Sequence, residues 1–196
     1  MPSWIVTIDG EVYYVHPGES YKLPDITPSE QSEPEALPFT DVSEGSWYYD
    51  AVCYVWKNGI MEGVAADKFA PNSPLTRAMV WAVLARIDGV EVSGDNWMAV
   101  AQKWAVNSGV SDGTNPTGYI TREQLVTMLW RYKGSPVVEY AITAPDASDI
   151  SDWALDAMKW AASTGLIEGD DLGNLNPASN STRAHTATFF MRYLEK

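Results

Sequence analysis

Aligned on Gly59, Gly109 and Gly165, the chain falls into three copies of one pattern. Twelve residues before each glycine stands a tryptophan (Trp47, Trp97, Trp153), eight before it an alanine (Ala51, Ala101, Ala157), and five before it an aromatic residue (Tyr54, Trp104, Trp160). Ile60, Val110 and Leu166 follow directly. An acidic residue and a second glycine come next: Glu62-Gly63, Asp112-Gly113 and Glu168-Gly169. Pro71, Pro116 and Pro177 each precede a Thr-Arg pair with four residues between: Thr76-Arg77, Thr121-Arg122 and Thr182-Arg183. Nine residues past each of these arginines is another, Arg86, Arg131 and Arg192. The interval from glycine to first arginine is 18, 13 and 18 residues, so the middle copy has a loop shorter by five. Matches at this many offsets limit the chain to an array of one structural unit.

Each unit reads as helix, loop, helix. The first helix runs roughly from the tryptophan to the first glycine, and Ala51, Val52, Val55 and Trp56 form its apolar stripe in the first copy. The glycine stands where a left-handed residue ends a helix. Thr76, Thr121 and Thr182 are N-cap candidates for the second helix, and Gln124, three residues after Thr121, completes a capping box. Apolar stripes follow: Val80, Val83, Leu84, Ile87; Leu125, Met128, Leu129, Tyr132; and Ala187, Phe190, Met191, Leu194. No single amphipathic hairpin buries its own face, but three packed about a pseudo-threefold axis share one core. The expected fold is mainly α, with repeats at about 39–90, 91–140 and 141–196.

Residues 1–23 read differently. Residues 4–8 and 11–15 are rich in β-branched and aromatic types, with Asp9-Gly10 between them as a two-residue turn, which predicts a short β-hairpin. Such a hairpin is marginal alone, and its edge suits pairing with another chain or self-association. Residues 24–38, with prolines at 24, 28, 34 and 38 among acidic residues, read as an extended linker. The first residues carry neither a basic stretch nor a long apolar one, so they do not form a secretory signal as written. Either a signal has been removed, or the protein leaves the cell another way, or it does not leave.

Composition narrows the function. With 13 Lys+Arg against 26 Asp+Glu the net charge is −13, which argues against a general nucleic-acid binder and against docking on an anionic membrane. No apolar run approaches the ~20 residues of a spanning helix, so no membrane insertion is expected. Cys53 is the one cysteine and excludes an internal disulfide; inside the first helix it reads as a small buried hydrophobe. His16 and His185 do not recur between copies, and with one cysteine they make no zinc signature. The loop from Gly169 to Asn174 places its oxygens off the EF-hand offsets, and turn chemistry explains it better. Phosphate loops and nucleophile elbows are absent from the sequence. Neither an enzyme nor a bound metal or cofactor is expected.

These motifs resemble the S-layer homology (SLH) domain in its usual triple array. The residues that carry the likeness in the first copy are Phe39-Thr40-Asp41-Val42, Trp47, Gly59-Ile60-Met61-Glu62-Gly63, Phe69-Ala70-Pro71 and Leu75-Thr76-Arg77-Ala78. The second copy offers Trp97, Gly109-Val110-Ser111-Asp112-Gly113 and Ile120-Thr121-Arg122. The third offers Asp149-Ile150-Ser151-Asp152-Trp153, Gly165-Leu166-Ile167-Glu168-Gly169 and Thr182-Arg183-Ala184. The resemblance covers about residues 39–196 and implies a three-pronged spindle whose grooves bind anionic, often pyruvylated, secondary cell-wall polysaccharides. It implies non-covalent anchoring of a secreted surface protein to the cell wall, without catalysis. The chain departs from the family's Thr-Arg-Ala-Glu in its fourth place, which holds Met79, Gln124 and His185, so that only Gln124 keeps equivalent capping. The middle copy also lacks the opening Phe-x-Asp.

Candidate binding residues follow from the same positions. Arg77, Arg122 and Arg183 open helices after Thr76, Thr121 and Thr182; a guanidinium beside free helical N–H groups suits a carboxylate or phosphate. The competing reading pairs each arginine with an acidic residue of a neighbouring repeat. Trp47, Trp97 and Trp153 either stack on sugar rings or pack within the prongs. Gly63, Gly113 and Gly169 either supply turn conformations or line a groove. Arg86, Arg131 and Arg192, near helix C-termini, read as structural. The alternative function is a non-catalytic assembly module of a surface layer or a virion, oligomerising through the N-terminal segment.

Overall fold

The computed structural model describes residues 4–8, 11–15 and 37–195. The chain divides into two compact units, Met1–Ala36 and Leu37–Lys196. In the first, β1 (Trp4–Ile8) and β2 (Glu11–Val15) pair antiparallel, with Trp4 opposite Val15 and Ile8 opposite Glu11. The expected Asp9-Gly10 turn and linker residues 24–36 lie outside the described residues.

The second unit is built from six α-helices: α1 (Tyr49–Lys57), α2 (Arg77–Ile87), α3 (Trp97–Asn107), α4 (Arg122–Tyr132), α5 (Leu155–Ser163) and α6 (Arg183–Leu194). Short 3₁₀ turns at Ala147–Asp149 and Asp152–Ala154 precede α5. Trp153 therefore sits in a 3₁₀ turn and Trp47 before α1, whereas Trp97 opens α3. The local signals act where the sequence puts them. Gly59, Gly109 and Gly165 take φ of +65°, +73° and +65°. At the first and third of these a Schellman motif closes the helix: Ile60 N–H donates to Val55 O at 2.8 Å and Leu166 N–H to Ala161 O at 2.8 Å. Thr76, Thr121 and Thr182 each accept the N–H of the residue three on, and the Thr121–Gln124 capping box is complete.

The helices do not pair within their own repeats. The main contacts are α2 with α3, α4 with α5, and α6 with α1, so each second helix packs on the first helix of the next repeat and the last repeat returns to the first. The segments just before α2, α4 and α6 make the same circuit in backbone hydrogen bonds. Leu75 N–H donates to Ser181 O (3.1 Å), Ser181 N–H to Ile120 O (2.8 Å), and Ile120 N–H to Leu75 O (3.0 Å), a closed triangle. Leu75, Ile120 and Ser181 are all buried there. One apolar cluster runs through all three repeats, with Val52, Val55, Trp81, Leu84, Leu125, Leu129, Met158, Leu166 and Phe190 at or near zero exposure. Cys53 is half-buried rather than fully enclosed, since Val52 and Val55 hold the inward face of α1.

Opening Asp41 latches its own repeat: its carboxylate accepts the Phe69 and Ala70 N–H groups at 2.9 and 2.8 Å. Burial pushes its pKa up, but those N–H bonds outweigh it and the net shift is down. The third repeat repeats the latch with Asp146, which accepts from Leu175 and Asn176 at 2.9 and 2.7 Å. Asp146, not Asp149, is thus the counterpart of Asp41.

Because the junction is circular, a defect in it acts on every repeat. Replacing the fully buried Leu75 with Ala is expected to lower the unfolding free energy by about 2–5 kcal/mol. Denaturation followed by helical circular dichroism checks this, with one cooperative transition shifted as a whole rather than a single repeat lost early.

Candidate functional site

The first N–H groups of the Thr-Arg helices are already used. Arg77 and Ala78 N–H donate to Gly118 and Pro116 O, both at 2.9 Å. Arg122 and Glu123 N–H donate to Ser179 and Pro177 O at 2.9 and 3.0 Å, and Arg183 and Ala184 N–H to Ser73 and Pro71 O at 2.9 Å each. The third N–H goes to the threonine cap. The expectation of free helical N–H groups beside each guanidinium is therefore corrected: the proline loop of the next repeat occupies them.

The guanidinium groups also reach into the next repeat. Arg77 donates through Nε to Thr114 O (2.9 Å) and through Nη2 to Ser111 Oγ (3.0 Å) and the Asp112 carboxylate (2.8 Å). Asp112 has a lowered pKa, chiefly through the Thr114 N–H bond, with Arg77 adding to it. Arg122 donates to Leu175 O (2.8 Å) and Glu168 O (3.3 Å), and Arg183 to Phe69 O (2.6 Å) and to Glu62 O. Only Arg77 has an acidic partner; the other two staple carbonyls. Each also lies over a ring, Trp81, Phe189 and Phe69 respectively. Burial pushes the Arg122 and Arg183 pKa values down, and nearby Arg192 adds to this at Arg122. Arg86 donates to Val92 O and Arg131 to Val110 O, but Arg192 pairs with the Glu168 carboxylate at the surface.

The glycines after the acidic residues are kept small by close approach. A Cβ at Gly63 would lie 2.5 Å from Ala65 O and 2.6 Å from the Phe39 ring. At Gly169 it would lie 2.6 Å from the Gly173 backbone. Only Gly113 of the three has a left-handed φ, +74°, so the expected turn conformation applies to it alone.

A groove of about 740 Å³ opens between repeats. Trp47 and Asp50 come to it from α1 and its approach, His185 and Arg192 from α6, and Arg122 from the start of α4. Glu168, Gly169, Asp170 and Asp171 line it as well. Trp47 is 63% exposed, with its ring 5.2 Å from that of His185 and tilted by 30°. Trp153 is also exposed, at 53%, while Trp97 is half-buried against the core; among the described residues neither has a ring contact. The structure thus brings together Trp47, Arg122, Gly169 and, through its cap on His185, Thr182. Arg77, Arg183, Thr76, Thr121, Trp97, Trp153, Gly63 and Gly113 do not line it.

Sequence reasoning missed several residues here. Glu123, one place before the family's glutamate, is buried and accepts Ser151 N–H and Oγ–H at 3.0 Å each. Asp146 stands 19 residues before Gly165, where Asp41 stands 18 before Gly59, a one-residue slip that hid the match. Among the described residues there is no cluster of three or more His, Cys, Asp or Glu suited to a metal, and no helix long and apolar enough to cross a membrane.

The family model described as the S-layer homology domain matches residues 38–78 and 145–187, the first and third repeats. The chain is 31% identical to the "Endoglucanase" of Bacillus sp. (strain KSM-635), over 85% of this chain and 20% of that protein. It is 30% identical to the "Amylopullulanase" of Thermoanaerobacterium thermosulfurigenes, over 81% of this chain and 10% of that protein. It is 29% identical to the "Surface-layer 125 kDa protein" of Lysinibacillus sphaericus, over 80% and 10% respectively. The chain thus spans a fifth or less of these relatives. It belongs to the S-layer homology domain family, and its segment from residue 37 is an array of that fold; proteins of this family are cell-surface and cell-wall proteins.

The staples are predicted to hold the grooves open at a measurable cost. Arg122 is 9% exposed. Arg122→Ala leaves Leu175 O and Glu168 O without their donor; Leu175 is buried and Glu168 exposed, so the cost is expected to be about 1–3 kcal/mol, set by the Leu175 acceptor. A urea titration checks this, with a lower midpoint at unchanged slope.

Proposed function

We propose that this array anchors its protein non-covalently to the cell envelope by holding an anionic secondary cell-wall polysaccharide in the inter-repeat grooves. The observation that carries the reading is the Trp47 groove, where an exposed aromatic face stands beside two cations. An aromatic plane suits the apolar face of a sugar ring, and a desolvated guanidinium takes a carboxylate or phosphate in charge-assisted hydrogen bonds. Arg122, 9% exposed, and Arg192, paired with Glu168, both line the groove. On a chain of charge −13 such local cations are what an anionic polymer needs. Family membership and the surface-layer relative support the same reading. Arg77 and Arg183 stand at the equivalent turns of the other two repeats, and Thr76, Thr121 and Thr182 hold the arginine-bearing turns in place.

The test is co-sedimentation with cell-wall sacculi before and after chemical removal of the secondary polymer. Binding is expected to disappear on stripping. Trp47→Ala is expected to weaken it by about tenfold, the worth of one good aromatic contact. Since Trp47 is mostly exposed, the variant should melt within a few degrees of the parent. Equal binding to stripped and unstripped walls, or an unchanged Trp47→Ala protein, would count against the polysaccharide.

A further inference from the structure

His185 occupies the place where the other repeats carry Met79 and Gln124, neither of which titrates. Its position is over-determined. Its backbone N–H donates to Thr182 Oγ1 at 3.3 Å, and its ring Nδ1 lies 3.1 Å from the same oxygen. Trp47 covers one face of the ring. Among the described residues no protein group bonds Nε2, and the residue lines the 740 Å³ groove. We propose that His185 is a ligand-contacting residue of this groove, whose Nε2 takes the acidic group of the bound polymer as a proton donor, so that binding here strengthens as pH falls. This rests on the polysaccharide reading above and adds to it a residue and a regulation confined to this groove.

The surrounding charges set the direction. Arg122 of α4 acts on the ring, and Arg192 of α6, Asp50 of α1, and Glu168, Asp170 and Asp171 line the same groove. Glu168 is engaged by Arg192, and Asp170 by Asn176 and the Leu172 and Asn174 N–H groups. Burial, and then Arg122, press the His185 pKa below its ordinary value. In the free groove the imidazole is therefore neutral at neutral pH. An anion placed against Nε2 and Arg122 offsets the burial and the repulsion, so the bound state takes up a proton that the free state does not hold. By linkage the affinity rises as pH falls below the ordinary imidazole range. The sign for folding is the reverse: a depressed imidazole pKa contributes stability above its ordinary value that declines as pH falls toward the folded value.

The experiment is binding of the full chain to polymer-bearing sacculi at about pH 7.5, 6.5 and 5.5, with melting followed at each pH. The parent and His16→Gln are expected to bind on the order of fivefold more tightly at the lowest pH. His185→Gln, which borrows the residue that caps α4, is expected to show no such rise; His185→Met, borrowed from α2, serves if the glutamine variant does not fold. A parent without pH dependence overturns the proposal and leaves anchoring intact. An equal rise in the His185 variants assigns the titration to the polymer and also overturns it. No binding of the parent at any pH overturns the anchoring reading itself.

Discussion

Three backbone hydrogen bonds, Leu75 to Ser181, Ser181 to Ile120 and Ile120 to Leu75, close a ring that the rest of the array depends on. Each repeat gives one N–H and one carbonyl to it, so no repeat completes its own. The α-helices that follow obey the same rule: the proline loop of the next repeat caps the first two N–H groups of α2, α4 and α6. Backbone polar groups this buried are costly to leave unpaired. The array is therefore a closed circuit in which each repeat supplies what the next one lacks, unlike an open solenoid whose ends need separate caps.

That circuit explains where the arginines went. A cation at the first turn of a helix opposes the helix dipole. Once the N–H groups are paired with carbonyls, however, the guanidinium finds further carbonyls from the same neighbouring loop, at Leu175 and Glu168 for Arg122 and at Phe69 and Glu62 for Arg183. The Thr-Arg pair is thus a fastening between repeats. What the fastening leaves beside the groove is the Arg122 side chain, the third helical residue His185, and Trp47, which stands just before α1.

Much of this was legible in the sequence because it is local. Left-handed glycines, threonine caps and the Gln124 capping box each depend on a few adjacent residues, and they appear as expected. Partner choice is not local. The apolar stripes of Val80, Val83 and Leu84 show that a face is buried but not against which helix, and the pairing of α2 with α3 rather than α1 lies beyond periodicity. The same holds for Arg183, whose bonds reach back more than a hundred residues to Phe69 and Glu62. Asp146 escaped through a one-residue slip in spacing, and Glu123 because its partner, Ser151, lies 28 residues away in the next repeat.

Repetition and function pull in different directions here. The closed ring needs three similar junctions and tolerates little change at Leu75, Ile120 or Ser181. The third helical position is bound less tightly, since only its backbone N–H is required by the cap. Methionine, glutamine and histidine all stand there without disturbing the helix behind them. Variation at that position changes the groove without touching the fastening. The middle repeat shows the same separation at larger scale. Its glycine-to-arginine loop is shorter by five residues, yet Pro116 and Gly118 still deliver carbonyls to Ala78 and Arg77. The middle repeat has no aspartate in the place of Asp41 and Asp146 and so lacks their latch, while Ser111, Asp112 and Thr114 all accept from Arg77. A pseudo-symmetric frame can therefore carry chemically unequal positions at its three junctions: Arg122 serves both the fastening and the groove, whereas His185 faces the groove while only its backbone N–H serves the cap.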